Sequence, residues 1–129
     1  MSEVTDKLER EKIIKQEVNR IKKVYKNLER EKVKVVDGLI NEAAFMKLTL
    51  EETRLYLFEN GMTEIFEQGP NVYNRERPEV KIYTSMIQRY SQVMKQLIDF
   101  MPIEQKKEEA DQLLEFISKG KIKKWQVHT

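Results

Sequence analysis

The amino-acid sequence predicts an all-α protein of about five helices that pack as helical hairpins. Apolar residues recur every three or four positions through most of the 129-residue chain, which is the period of an amphipathic helix. Only 4 glycines and 3 prolines are present, too few for the frequent tight turns of a β-sandwich or barrel. Charged residues make up 36% of the chain and hydrophobic residues 40%, a balance that favours elongated helices or an oligomer.

The first two predicted helices differ in the width of their apolar faces. The first extends from about Glu3 to Glu29, and its narrow seam has a 4-3-4-3 spacing: Ile14, Val18, Ile21, Tyr25 and Leu28. The second extends from about Val33 to Lys47, and its wide face is typical of a core helix: Val36, Leu39, Ile40, Ala43, Ala44 and Met46. Because the rest of the first helix is polar, we expect it to pack against another helix or subunit.

A capping box predicts the start of a third helix. In Thr49-Leu50-Glu51-Glu52, the threonine side chain can accept a hydrogen bond from the Glu52 amide while the Glu52 carboxylate reaches back. Asn60-Gly61 is a suitable end for this helix. The segment from Gly69 to Pro78 is then predicted to be a loop, because it holds Gly, two Pro and two Asn in ten residues.

A fourth helix is predicted from Glu79 to Met101, with Pro78 near its first turn, and Pro102 forces a break after it. Its long apolar seam is regular: Tyr83, Ile87, Tyr90, Met94, Leu97 and Met101. A fifth helix, about Ile103 to Ser118, has the seam Ala110, Leu113, Leu114 and Ile117. We divide the chain into a basic N-terminal helix (1–32), a central helical oligomerisation core (33–102) and a C-terminal helix with a basic tail (103–129).

Composition excludes most enzyme classes. The chain has no cysteine, which removes disulfides and thiolate sites, and its single histidine, His128, lies one residue from the end. The glycines are too dispersed for a phosphate-binding loop. We therefore predict no catalytic residue, no cofactor and no metal site. No apolar run approaches the ~20 residues of a membrane span, and no signal peptide is visible.

Two basic segments are candidates for binding phosphate. Arg10–Lys26 holds seven basic and two acidic residues. Clustered basic residues of this kind bind DNA phosphates without regard to sequence. We predict that six of them contact DNA: Lys12, Lys15, Arg20, Lys22, Lys23 and Lys26. The alternative is a solvated helix face. The tail Lys119–Lys124 with Trp125 could likewise hold phosphate and stack on a base. The favoured interpretation is a flexible terminus that docks a partner protein or is simply disordered.

The central part of the chain resembles the small terminase subunit of tailed bacteriophages, in particular the P27-like group of phages and prophages. The resemblance covers about Tyr25 to Pro102 and depends on four segments: Glu42-Ala43-Ala44-Phe45-Met46, Thr49-Leu50-Glu51-Glu52, Asn71 to Pro78, and Tyr83 to Leu97. It implies a non-enzymatic protein of the host bacterial cytoplasm that assembles as a ring-shaped homo-oligomer. Such a protein binds double-stranded viral DNA at the packaging initiation site and recruits and regulates the large terminase subunit, which holds the ATPase and nuclease.

The seam of the fourth helix is the predicted interface between subunits. Its length and regularity suggest that part of it is shared with a neighbouring copy: Tyr83, Ile87, Tyr90, Met94 and Leu97. Two other functions remain open. One is a helical scaffold or adaptor whose lysines only solvate it. The other is a helix-turn-helix regulator that reads DNA with the helices around Thr49, although Arg54 is the only basic residue of the predicted third helix.

Overall fold

Four α-helices and one β-hairpin form the part of the chain that the computed structural model describes, which is residues 3–25, 28 and 30–119. The helices are α1 (Glu3–Lys22, followed by a 3-10 turn at Lys23–Tyr25), α2 (Arg30–Asn60), α3 (Pro78–Asp99) and α4 (Ile103–Lys119). The strands are β1 (Thr63–Gln68) and β2 (Asn71–Glu76). The described part of the chain is thus mainly helical, at 81%, as the apolar period predicts, but it is not purely α.

Helix α2 is continuous through the predicted capping box, so the expected break between a second and a third helix is wrong. Thr49 Oγ1 donates to the Phe45 carbonyl, and Thr53 Oγ1 donates to the Thr49 carbonyl, which are bonds of threonines inside a helix. Leu48 and Leu50, on either side of Thr49, are both buried. Their burial requires the helix to continue, and the side chain that could have capped a new helix bonds to the preceding turn instead.

The predicted loop between Gly69 and Pro78 is also wrong, because most of it belongs to a two-stranded antiparallel hairpin. Thr63 pairs with Glu76 and Gln68 with Asn71, which leaves Gly69-Pro70 as the turn. Gly69 has φ +60°, and proline holds its own φ near −65°. This combination is compatible with a type II′ turn, which matches the twist of a hairpin.

The C-terminal end of α2 positions the hairpin. Gly61 has φ +88°, and its amide donates to the Leu57 carbonyl at 2.7 Å, which ends the helix. The Arg77 guanidinium then donates to the carbonyls of Gly61 (3.0 Å) and Asn60 (3.2 Å). Arg77 therefore joins the end of α2 to the beginning of α3 at the base of the hairpin.

The helices pack as an up-down-up-down bundle. Ion pairs Lys22–Asp37 and Arg10–Glu52, each 3.0 Å, show that α1 and α2 are antiparallel. α4 returns along the bundle in the direction of α2, since Glu109 meets Arg20 near the end of α1 and its later residue Phe116 contacts Arg54. One core contains residues of all four helices: Val18, Ile21, Tyr25, Val36, Ile40, Ala43, Ala44, Met46, Leu50, Tyr90, Met94, Leu97, Met101, Leu113 and Phe116.

The predicted seams of α1, α2 and α3 are confirmed, whereas the seam of α4 is partly wrong. In α4, Leu113 is buried as expected, but Leu114 is 62% exposed. Phe116 and Glu109 are buried instead. Residues 51–60 of α2, the hairpin with its flanking residues and residues 78–89 of α3 lie at one end of the bundle, and we call them the arm. Many of the large exposed apolar side chains lie on the arm: Leu55, Tyr56, Phe58, Met62, Ile65, Val72, Tyr73 and Ile82.

Candidate nucleic-acid interface

The outward face of α1 and of the 3-10 turn that follows it carries three of the predicted DNA-binding lysines. All three are exposed: Lys12 and Lys23 lie on the side opposite to the buried Val18 and Ile21, and Lys15 lies at the edge of that side. Between positions 12 and 23 the only acidic residue is Glu17, whose side chain turns inward and is 12% exposed. This face is therefore positive along its length, without an intervening carboxylate.

Two polar side chains complete this surface, which sequence reasoning missed. Gln16 and Asn19 are exposed between the lysines on the same face of α1. Amide side chains of this kind commonly bond to phosphate oxygens. We call Lys12, Lys15, Gln16, Asn19 and Lys23 the basic stripe. At 1.5 Å per residue it extends about 16 Å, or roughly five base pairs of duplex. The signal that could have found the two amides is their position between lysines at helical spacing.

Arg20, which was also predicted to contact DNA, is used within the fold. Its Nε and Nη2 donate to the two carboxylate oxygens of Glu17 at 2.8 and 3.0 Å. Its Nη1 donates to Glu109 Oε1 at 2.9 Å, and lies 3.4 Å from Gln112 Oε1. Arg20 thus joins α1 to α4, and the donors that a phosphate would need are already engaged.

The pKa values of Glu17 and Arg20 shift in the directions that an ion-pair network produces. Burial by itself would raise the pKa of Glu17, but the hydrogen bond from Arg20 and the charges of Lys47 and Arg20 outweigh it. The pKa of Glu17 therefore lies below its ordinary value of 4.5. The hydrogen bond to Glu17 and the carboxylates of Glu17 and Glu109 raise the pKa of Arg20 despite the opposing effect of burial. Glu17 and Arg20 are both charged at neutral pH.

Lys22 and Lys26 stand apart from the basic stripe. Lys22 is paired with Asp37 at 3.0 Å, but both side chains are about half exposed. Exposed pairs of this kind contribute little and exchange readily. Lys22 can therefore turn toward a phosphate at small cost. Lys26 lies outside the described residues.

Helix packing brings further lysines to the same end of the bundle. Because α1 and α2 are antiparallel, the exposed Lys32 and Lys34 at the start of α2 lie near the end of α1. The start of α4 reaches this end as well, since Lys23 and Gln105 line one cleft of about 720 Å³. Exposed acids, Glu31 and Glu104, are also present there, so this end is less purely basic than the stripe.

The predicted interface residues of α3 mostly lie inside the chain's own core. Tyr90, Met94 and Leu97 are at most 3% exposed. They therefore have almost no surface to offer a second subunit. Tyr83 and Ile87 are half-buried, and the prediction of a shared surface depends on these two.

Two kinds of site are absent from the residues that the structure describes. Within residues 3–25, 28 and 30–119, no three acidic or histidine side chains are grouped so as to hold a metal ion. No helix in these ranges is both long and apolar enough to cross a membrane. The cleft at the end of the bundle has walls of lysine, glutamate and apolar side chains.

Comparison with known proteins gives no family for the chain. No protein-family model, no curated protein and no solved structure matches it.

Proposed function

We propose that this protein is a small terminase subunit of the P27-like group, which binds viral DNA at the packaging initiation site and recruits the large terminase subunit. The observation that carries the proposal is the presence of two separate surfaces on one chain. The basic stripe suits a phosphate backbone, and the apolar arm suits a protein. Because the surfaces do not overlap, DNA and a protein partner can be bound together.

The location of the resembling segments supports the same proposal. Glu42 to Met46 and Thr49 to Glu52 lie in α2, Asn71 to Pro78 covers β2 and the start of α3, and Tyr83 to Leu97 lies in α3. All four thus belong to one continuous helix–hairpin–helix unit. A resemblance concentrated in one structural unit is what a shared fold produces.

The alternatives differ in how well the geometry accommodates them. A helix-turn-helix regulator needs a turn near Thr49, and α2 has none at that point. Arg54, the basic residue of that segment, lies 5.2 Å over the ring of Phe116 and faces α4. A helical adaptor without DNA-binding activity is the stronger second candidate, because the exposed apolar side chains of the arm favour a protein partner.

The salt dependence of DNA binding tests the basic stripe. The triple variant Lys12→Gln, Lys15→Gln, Lys23→Gln removes three charges from the stripe. If each lysine contacts a phosphate, the slope of log K against log salt becomes shallower by about 0.9 per lysine, or about 2.7 in total. A matched triple variant, Lys81→Gln, Lys95→Gln, Lys107→Gln, removes three exposed lysines elsewhere. It should leave the slope nearly unchanged.

Binding to different DNAs and to the large terminase subunit distinguishes the three candidate functions. Fluorescence anisotropy is measured with packaging-site DNA, random DNA and a palindromic operator, and the large terminase subunit is tested by co-purification. Preference for packaging-site DNA together with capture of the large subunit supports the proposal. No binding to any DNA supports the adaptor, and preference for the operator supports the regulator. Equal losses in the two triple variants would show that net charge, and not the stripe, governs binding.

A further inference from the structure

The outer face of the hairpin is exposed among the described residues and has a distinct composition. Side chains alternate along each strand, so Glu64, Phe66 and Arg75 share one face. On that face, Arg75 forms an ion pair of 2.7 Å with Glu64, and its guanidinium lies 3.8 Å from the centre of the Phe66 ring. The other face is entirely exposed, and we call it the outer face: Thr63, Ile65, Glu67, Val72, Asn74 and Glu76.

The outer face is apolar and acidic without a basic residue. Ile65 is 71% exposed and Val72 is 61% exposed, and they are diagonal neighbours across the two strands. Glu67 and Glu76 lie beside them. A two-stranded hairpin with an uncovered apolar face is marginally stable in water by itself. A segment that covers this face should therefore carry both apolar and basic side chains.

The end of α4 brings such a segment to the arm. α4 runs in the direction of α2, and Phe116 contacts Arg54 in the first residues of the arm. The helix ends three residues later at Lys119, at the same end of the bundle as the arm. The ten residues 120–129 can extend at most about 35 Å. The distance from Arg54 to the tip of the hairpin is about 30 Å, counted as helix rise and strand rise. The tail is long enough to reach the whole arm.

The composition of the tail complements the outer face. Between positions 120 and 129 there are three lysines, Lys121, Lys123 and Lys124, and no acidic residue. Apolar side chains lie among them: Ile122, Trp125 and Val127. The last turns of α2, before the hairpin, are also apolar and acidic. Glu51 and Glu59 flank Leu55, which is 56% exposed.

We propose that the C-terminal tail, residues 120–129, binds the outer face of the hairpin in its own chain. Its apolar side chains cover Ile65 and Val72, and its lysines pair with Glu67 and Glu76. A bound tail occupies apolar surface that a protein partner would otherwise meet, and it holds its lysines away from phosphate. A protein that binds the same apolar side chains would compete with the tail for them. This inference does not depend on the proposed DNA-binding function.

Intrinsic fluorescence tests the inference directly, because Trp125 is the only tryptophan of the chain. Acrylamide quenching of Trp125 is measured in the full chain and in a synthetic peptide of residues 118–129, at low salt. A bound tail gives a severalfold lower quenching constant and a blue-shifted emission in the full chain. Added salt should bring both values toward those of the peptide, since the lysine–glutamate attraction is screened.

Two sets of variants locate the binding site. Glu67→Gln with Glu76→Gln, and separately Ile65→Ser with Val72→Ser, should both raise quenching toward the peptide value. Glu104→Gln with Glu108→Gln, at the far end of the bundle, removes the same charge and should leave quenching unchanged. Lys121→Gln, Lys123→Gln and Lys124→Gln together should have the effect of the hairpin variants. The tail variants do not alter the fold on which the hairpin depends, so they keep the test valid if a hairpin variant unfolds.

Each contrary outcome has a definite meaning. Quenching of the full chain equal to that of the peptide overturns the inference. Protection that increases with protein concentration shows that the tail binds a second copy instead. Protection that the hairpin variants and their control affect equally shows that the tail binds somewhere else.

Discussion

Replacing Arg20 by methionine should destabilise the fold much more than it weakens DNA binding. The substitution removes the guanidinium that joins Glu17 on α1 to Glu109 on α4. Glu17 keeps Lys47 at 3.5 Å, whereas Glu109 keeps no donor within the described part of the chain. The variant therefore leaves one carboxylate buried and unpaired.

The burial of Glu109 sets the size of the effect. Its side chain is 6% exposed, and its Oε2 has no hydrogen-bond partner among the described residues even in the intact protein. Breaking a buried ion pair by removing one partner costs about 3–5 kcal/mol. Because the Arg20 side chain itself is 38% exposed, we expect the lower end of this range, about 3 kcal/mol. With a urea m value of about 1.5 kcal/mol/M, the midpoint of unfolding falls by about 2 M.

Urea unfolding followed by circular dichroism measures this loss. The double variant Arg20→Met, Glu109→Leu replaces the pair by apolar side chains and should recover most of the stability, since an apolar pair often substitutes for a buried ion pair without loss. Lys22→Met is the matched control, because its exposed pair with Asp37 contributes at most about 1 kcal/mol. If Arg20→Met costs no more than Lys22→Met, or if the double variant is less stable than the single, the network does not hold α1 to α4 in the way described.

Two further predictions concern the same core. Tyr25→Phe removes the hydrogen bond from the buried Tyr25 hydroxyl to the Leu97 carbonyl and should lower the free energy of unfolding by about 1 kcal/mol, measured by the urea midpoint at constant m. Because the pKa of Glu17 is lower in the folded state than in the unfolded chain, its stabilisation is complete above the unfolded value of 4.5 and is lost as the pH falls through the folded value. Glu17→Gln should therefore be less stable than the wild type at neutral pH, and its free energy of unfolding should fall less steeply as the pH is lowered. An equally steep fall in both proteins would contradict this.

The apolar sequence pattern predicted the helices correctly where the residues that recur at the helical period are also the buried ones. The seams of α1 and α3 identify Val18, Ile21, Tyr90 and Met94 as core residues because a helix can bury only one stripe. The break at Pro102 needed no tertiary information, since proline lacks the amide that would continue the helix.

The prediction of a separate third helix was wrong because the same short sequence is compatible with two local structures. A Thr-x-x-Glu box caps a new helix, but the same threonine can bond to the preceding turn. The burial of Leu48 and Leu50 against other helices decides between them, and this burial is a property of the assembled core. The hairpin was missed for a related reason. Gly69-Pro70 is a turn signal in a loop or a hairpin, and only the pairing of the strands distinguishes the two.

By itself, the sequence determined the helical class, the apolar stripes and the unequal distribution of charge, because these depend on residue type and spacing along one chain. The tertiary structure decided which charges remain available. Lys12, Lys15 and Arg20 are indistinguishable as members of a basic run, yet Arg20 lies beside Glu17 and meets Glu109, 89 positions away in the chain. Whether a charge faces solvent or a buried partner depends on the packing of two distant helices, and no pattern local to one helix contains that information.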